Sequence, residues 1–436
     1  MTSHLTFVRC RLAATLAATL SIALALPSAD AQDWRSDGLA AFDTVWRTIH
    51  ETYYDPAFGG LDWEDVRTDL RPRVEQARSA DEQRVVIRDM LARLGQSHFA
   101  LLTSAPGADD LRGPASVPFD VRLAPAGLLV TRMHADGGGA VAPGDAILRI
   151  GDQTVATLLE TVDPADPRRS ELSWRRAMVA LSGPPATRVR LTLQAPGSPS
   201  RDVDVARVVP AGEPVSLGHL PVLRASLEAR ERVTASGRRV GVIRFNTWMA
   251  AIAEPFAAAI DRFRRADGLV IDLRGNPGGL ADMIRGIAGH LVDEPAVLGR
   301  MRMRELDLEF RVNPRRSTMD GRSVEPYAGP VGILIDELTA SASECFAGGL
   351  QALGRSRVFG TRSSGQALPA STQQLRNGDV LLYAIGDFVT STGQRLEGTG
   401  VVPDVAVAVT PEALAAGRDA EFEAITWIER AARVGR

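Results

Sequence analysis

Gly268-Leu269-Val270-Ile271-Asp272-Leu273-Arg274-Gly275-Asn276-Pro277-Gly278-Gly279 is the stretch on which the fold turns. Gly268 to Leu273 reads as a continuous apolar strand, the pattern expected when both faces of a sheet are covered. Arg274 to Gly279 is a tight glycine turn, and Leu280 to Val292 reads as a helix. The same unit recurs on either side. Val240 to Phe245 is a strand followed by a helix over Pro255 to Arg265, and Val331 to Ile335 is a buried strand followed by a helix over Ser341 to Leu353. Strand–turn–helix repetition predicts an α/β core with its chemistry at strand ends.

The chain changes character upstream. Over 105–207, Val117 to Leu123, Leu128 to Met133, Ala146 to Ile150 and Val189 to Leu193 read as short strands between Gly and Pro, with an elaborated helix and loop over Arg168 to Ala186. Pro143-Gly144-Asp145-Ala146-Ile147-Leu148-Arg149-Ile150-Gly151 resembles the turn and strand of PDZ domains, and Val117 to Val121 is the candidate carboxylate-binding region; an unrelated small β module is the alternative. Residues 32–104 are helical in period. Leu39, Phe42, Val45, Trp46 and Ile49 share one helix face, and Ser79 with Glu82 forms a capping-box signal. Gly95 ends that last helix, which puts Ser97 and His98 at an exposed element end. Residues 1–31 read as a secretory signal: Arg9 and Arg11, an apolar run from Leu12 to Leu26, and Ala29-Asp30-Ala31 as a cleavage box, with an uncleaved anchor as the alternative. The expected division is 1–31 signal peptide, 32–104 helical domain, 105–207 PDZ-like domain and 208–436 α/β core.

Composition narrows the function. The 436 residues are 45% hydrophobic and 24% charged, which excludes a disordered or collagenous chain. A net charge of −3 argues against nucleic acid as a partner. No later run is apolar enough to span a bilayer, so the mature form is expected to have no membrane part. No His/Cys/Asp cluster has metal-ligand spacing, and Asp136 to Gly139 lacks the lysine and helix of a phosphate loop, so no metal or cofactor is expected. Cys10 precedes the apolar run, and Cys345 reads as a buried core cysteine. The chain contains no lysine, so all 50 basic residues are arginine. A lysine general base is therefore impossible.

Leu338-Thr339-Ala340-Ser341-Ala342-Ser343-Glu344 lies between a strand and a helix. Taken alone, Ser341 with Glu344 is a helix cap. The same geometry can present a nucleophile, because the first helix amides, beginning at Ala342, are unpaired donors able to hold an oxyanion. Gly278 and Gly279 offer further backbone donors, since glycine permits close approach of the backbone.

Together with Gly360-Thr361 and the run from Glu397 through Gly398, Gly400, Val401 and Pro403 to Asp404, these motifs resemble the tail-specific, C-terminal-processing serine protease family. The resemblance spans nearly all of the mature chain. It implies an α+β multidomain fold: a helical front, a PDZ-like β module and an α/β core of the ClpP/crotonase-like kind. Most members use a serine–lysine dyad, but the matching stretch here is Ser364-Gly365-Gln366. Gly95-Gln96-Ser97-His98 and Glu397 instead resemble the tricorn-like branch and its Ser-His-Ser-Glu site. That resemblance implies Ser341 as nucleophile, His98 as general base, and Ser97 and Glu397 as groups that orient the imidazole. Gly278, Gly279 and Ala342 are the implied oxyanion donors. His50, His134, His219 and His290 lie outside these motifs. The expected activity is that of a periplasmic or secreted serine endopeptidase acting on peptide or protein tails. A non-catalytic peptide or apolar-ligand binder on the same scaffold, or an esterase using the same serine, are the competing readings. Nothing in the sequence points to one oligomeric state.

Overall fold

A computed structural model describes residues 33–103, 111–134, 139–166, 168–216 and 222–434. The expected signal segment, His219 and most of the Asp136–Gly139 run lie outside the described residues.

The front consists of three helices, Trp34–Thr52, Trp63–Gln76 and Ala80–Ala92. Ala41, Phe42, Val45, Trp46 and Ile49 form the buried stripe of the first. The Asp62 side chain caps the second by accepting the amides of Glu64 and Asp65, and Ser79 caps the third through Glu82. This front does not close on itself. Leu375 and Leu381 complete its apolar cluster, from a hairpin formed by Ala370–Gln374 and Val380–Ala384. The strand Ala100–Leu102 pairs with the second arm of that hairpin. Helical periodicity in the first hundred residues carries no sign of this partner from far down the chain.

The second unit is an antiparallel sheet of Phe119–Ala124, Gly127–Met133, Ala146–Ile150, Arg188–Gln194 and Arg201–Ala206, in that order. Its core joins Phe119, Val121, Val130, Ile147 and Leu191 to Ala177 and Leu181 of the helix Arg169–Leu181. Phe119–Ala124 is the outer strand.

In the third unit a six-stranded sheet runs Leu227–Val233, Arg239–Phe245, Gly268–Asp272, Val331–Ile335, Arg357–Gly360 and Val405–Ala406. The first pair is antiparallel and the rest are parallel. Alternation along Gly268–Asp272 assigns the faces. Leu269 and Ile271 pack with Phe256, Ile284 and Phe346 of the helices on one side, and Val270 packs with Ala424 and Ile428 of Ala420–Val434 on the other. The helix expected over Leu280–Val292 spans only Asp282–Ala288. At Gly289 the backbone turns against the chain near Asn313, whose carbonyl lies 2.7 Å from where a Cβ would stand. A small antiparallel sheet of Asp307–Val312, Ala296–Met303 and Gly386–Thr390 flanks the core. The parallel strands end at Asp272, Ile335 and Gly360, and the loops beyond these ends converge.

Candidate active site

Ser341 stands immediately before the helix Ala342–Ala352 with φ 55° and ψ −121°. A residue with a Cβ rarely adopts this backbone, so its neighbours must over-determine it. Asp336 anchors the turn. One carboxylate oxygen accepts the amides of Gly275 (2.8 Å) and Leu338 (3.1 Å), and the other accepts Arg122 Nε (2.6 Å). Ala340 N–H donates to Asn276 O (3.1 Å), which joins the turn to the glycine loop. Behind the serine, its own amide donates to Gln366 O (2.8 Å) and to Glu344 Oε2 (3.1 Å).

The glycine loop lies directly over this turn. A Cβ on Gly278 (φ 99°) would stand 2.6 Å from Ser341 Cβ and 3.0 Å from Ala342 N. A Cβ on Gly279 (φ 145°) would stand 2.5 Å from Trp248 O. Only glycine fits either position. The Gly278 N–H is not free, however, because it donates to Asn276 Oδ1 (3.0 Å). Asn276 cannot turn away easily, since its Nδ2 donates to Phe245 O (2.9 Å). The Ala342 amide opens the helix beside the serine, 3.0 Å from where a Cβ on Gly278 would stand.

The histidine end is built from other elements. Past the helix Ala80–Ala92 the chain turns through Gly95 (φ 62°) and reaches His98, itself at φ 59°. Ser97 Oγ lies 2.7 Å from His98 Nδ1 and donates to Glu397 Oε2 (2.8 Å). Ser97 N–H donates to Glu397 Oε1 (2.8 Å), and Ala367 N–H to Glu397 Oε2 (2.9 Å). This network fixes the tautomer. The Ser97 hydroxyl has one hydrogen and gives it to the carboxylate, so it must accept from His98 Nδ1–H. The lone pair of the neutral ring is then on Nε2. Burial lowers the His98 pKa to about 4, with the Glu171 carboxylate opposing the shift. Ser97 and His98 are half-buried, not exposed as a free helix end would be, because Glu397, itself 5% exposed, draws the loop inward.

The two ends meet on one loop. Gln366 O takes the Ser341 amide, and the next residue, Ala367, donates to Glu397. Gln366 Nε2 donates to Ser364 Oγ and to Glu171 Oε2, both at 2.6 Å, so the helix Arg169–Leu181 reaches over the same loop. Glu171 and Asp336 carry no motif that marks them in the sequence, and Gln366 enters there only as the residue matched to the dyad lysine. Glu344 reads there only as a cap, yet it lies fully buried behind the Ser341 turn. Cys345 is buried one turn into the helix, and burial pushes its thiol pKa well up, which leaves it inert. His290 is buried among Phe256 and neighbouring arginines, and His134 bonds Asp120, away from Ser341. Among the described residues no group of three His, Cys, Asp or Glu could hold a metal.

Residues 239–407 match peptidase family S41, and residues 32–92 match the tricorn protease C1 domain. The chain carries a peptidase family S41 domain. It is 26% identical over 381 residues to a carboxyl-terminal-processing protease of Picosynechococcus, covering 84% of this chain and 82% of that one. It is 27% identical over 373 residues to the chloroplastic C-terminal processing peptidase of Tetradesmus obliquus, covering 84% and 76%. The fold of this S41 chain is shared with the photosystem II D1 C-terminal processing protease (TM-score 0.55, 22% identity, 87% of this chain and 98% of that one). It is also shared with mature CPAF (TM-score 0.62, 17% identity, 92% and 97%). The S41 domain and the similarity to processing proteases make the protein a serine peptidase, a hydrolase acting on peptide or protein substrates. No helix among the described residues is long and apolar enough to cross a membrane.

Proposed function

We propose that this S41 peptidase is an exported endopeptidase that cleaves protein tails through an acyl-enzyme on Ser341, with His98 as the base. The observation that carries the reading is the relay from His98 Nδ1 through Ser97 Oγ to Glu397. It leaves Nε2 as the basic nitrogen. His98 Nε2 takes the Ser341 hydroxyl proton as Oγ attacks the scissile carbonyl. The imidazolium that forms keeps its Nδ1–H on Ser97, whose hydroxyl transmits the Glu397 charge. Ala342 and Gly279 amides hold the oxyanion, and Gly278 joins them if its amide leaves Asn276. His98 then returns the proton to the leaving amine, and water attacks the acyl-enzyme by the same route. The side chain of Gln366 holds the place of the dyad lysine, and an amide cannot accept a proton near neutrality.

Phe119–Ala124 is a terminal strand of its sheet, the position at which a peptide strand would add, which supports tail binding by the PDZ-like unit. The apolar leader with its small-residue cleavage box supports export to a periplasm or medium.

The test is labelling by a fluorophosphonate probe. Labelling should be lost in both Ser341→Ala and His98→Ala. Loss in Ser341→Ala alone means a different base. No labelling of the wild type from pH 5 to 9, beside a reactive serine hydrolase, would favour a non-catalytic binder.

A further inference from the structure

Glu344 has two roles open to it. It returns a capping bond to the Ser341 amide, as any residue three positions into a helix can. It also does something that a cap does not require. Its Oε1 accepts Ser363 Oγ (2.6 Å) and Gly365 N–H (2.8 Å), and its Oε2 accepts Gln366 N–H (3.0 Å) besides Ser341 N–H. The carboxylate therefore ties the nucleophile turn to the loop 363–367, whose next amide, Ala367, anchors Glu397. It is the joint between the two ends of the site.

All four partners are donors. Ser363 Oγ accepts Val401 N–H (2.6 Å), so its own hydrogen goes to Glu344. An ionised carboxylate satisfies this set. A protonated one must donate, and the only hydroxyl in reach would have to turn away from its present bond.

We propose that Glu344 is a positioning residue whose ionised carboxylate holds Ser341 in register with the His98–Ser97–Glu397 relay, so that turnover requires this carboxylate to be charged. The inference rests on the Ser341–His98 reading above. The surroundings make its ionisation a working variable. Cys345 faces it from its own helix, and Asp387 lies beyond on the strand Gly386–Thr390, neutralised by Arg395 (2.6 Å). The turn after Leu396 brings Glu397, and Glu171 approaches through the Gln366 side chain. The strand Ala296–Met303 presents Leu298 to this helix. None of these elements bonds a cation to Glu344, and burial raises its pKa to about 7, with its four hydrogen bonds opposing. His98, at about 4, titrates well below it. The acid limb of activity thus belongs to Glu344.

The experiment measures kcat and KM of the full chain on a fluorogenic peptide from pH 4.5 to 9. Wild-type kcat should fall about tenfold per pH unit below roughly 7. Glu344→Gln should lose about 10- to 100-fold in kcat, the cost of a misplaced reacting group, with KM within about twofold and little pH dependence from 5 to 8. Glu344→Asp should restore an acid limb at a shifted midpoint. A wild-type kcat that stays flat down to pH 5 overturns the proposal, as does a Glu344→Gln variant that keeps the wild-type limb. If Glu344→Gln fails a thermal-unfolding check, the wild-type limb and its shift in Glu344→Asp decide, and an unshifted limb overturns it. Retained probe labelling in His98→Ala would sink the underlying reading instead, whatever Glu344 does.

Discussion

Ser341 and His98 share an uncommon backbone, with φ 55° and 59°, but are held there by bonds of different reach. The serine turn draws on Asp336, Thr339 and Glu344 within a few residues, and beyond them on the glycine loop, the Gln366 carbonyl and Arg122. The histidine loop draws on Glu397, three hundred positions away in sequence. One end is a helix start held mostly by loops at the strand ends of the core. The other exists only after the front, the core and the 396–401 turn have come together. Strain of this kind persists only where the surroundings pin it, so the two ends should fail differently when their pins are removed.

The largest effect should come from the reacting groups. Ser341→Ala and His98→Ala are each expected to lower kcat by about 10⁴-fold or more, and the double variant by hardly more, since the pair acts as a unit. Additive losses in peptide hydrolysis would show that they do not. Gly278→Ala attacks the serine end alone. Its methyl would collide with Ser341 Cβ on a backbone at φ 99°, so kcat should fall about 10²- to 10³-fold with a lowered Tm. Glu397→Gln attacks the assembled end alone. An amide cannot accept from Ser97 and Ala367 at both oxygens, so kcat should drop about 10²-fold while Ser341 keeps its turn. Near-equal kcat values for Glu397→Gln and wild type would dismiss the relay.

Two smaller changes probe stability. Arg122 and Asp336 are both buried, so Arg122→Met leaves an unpaired carboxylate beside Gly275 and should cost about 3–5 kcal/mol by urea unfolding. Ser79→Ala removes only the cap of the helix that leads to His98. It should cost about 1 kcal/mol and leave kcat unchanged.

The same contrast governs what could be read from the sequence. Gly268–Asp272 and Val331–Ile335 are legible because burial on both faces leaves a pattern in neighbouring residues. The glycine loop is legible because only glycine tolerates contact with Ser341 and Trp248. His98 and Glu397 carry no local mark and enter only through the family pattern. Glu344 is hidden differently, since its capping role supplies a sufficient reason for its presence. The hairpin Ala370–Gln374 and Val380–Ala384 is invisible for a third reason. Its partners are helices near the chain start, and two short strands, the first of them polar, announce no partner.

The bonds from Ser97 to Glu397 also impose an order in time. Synthesis delivers the histidine loop early, the serine turn much later, and the carboxylate that fixes the tautomer later still. A growing chain that has made Ser341 but not Glu397 has a nucleophile without an oriented base. On the proposed mechanism, the peptidase is born without its activity and acquires it only as the last turns of the core close.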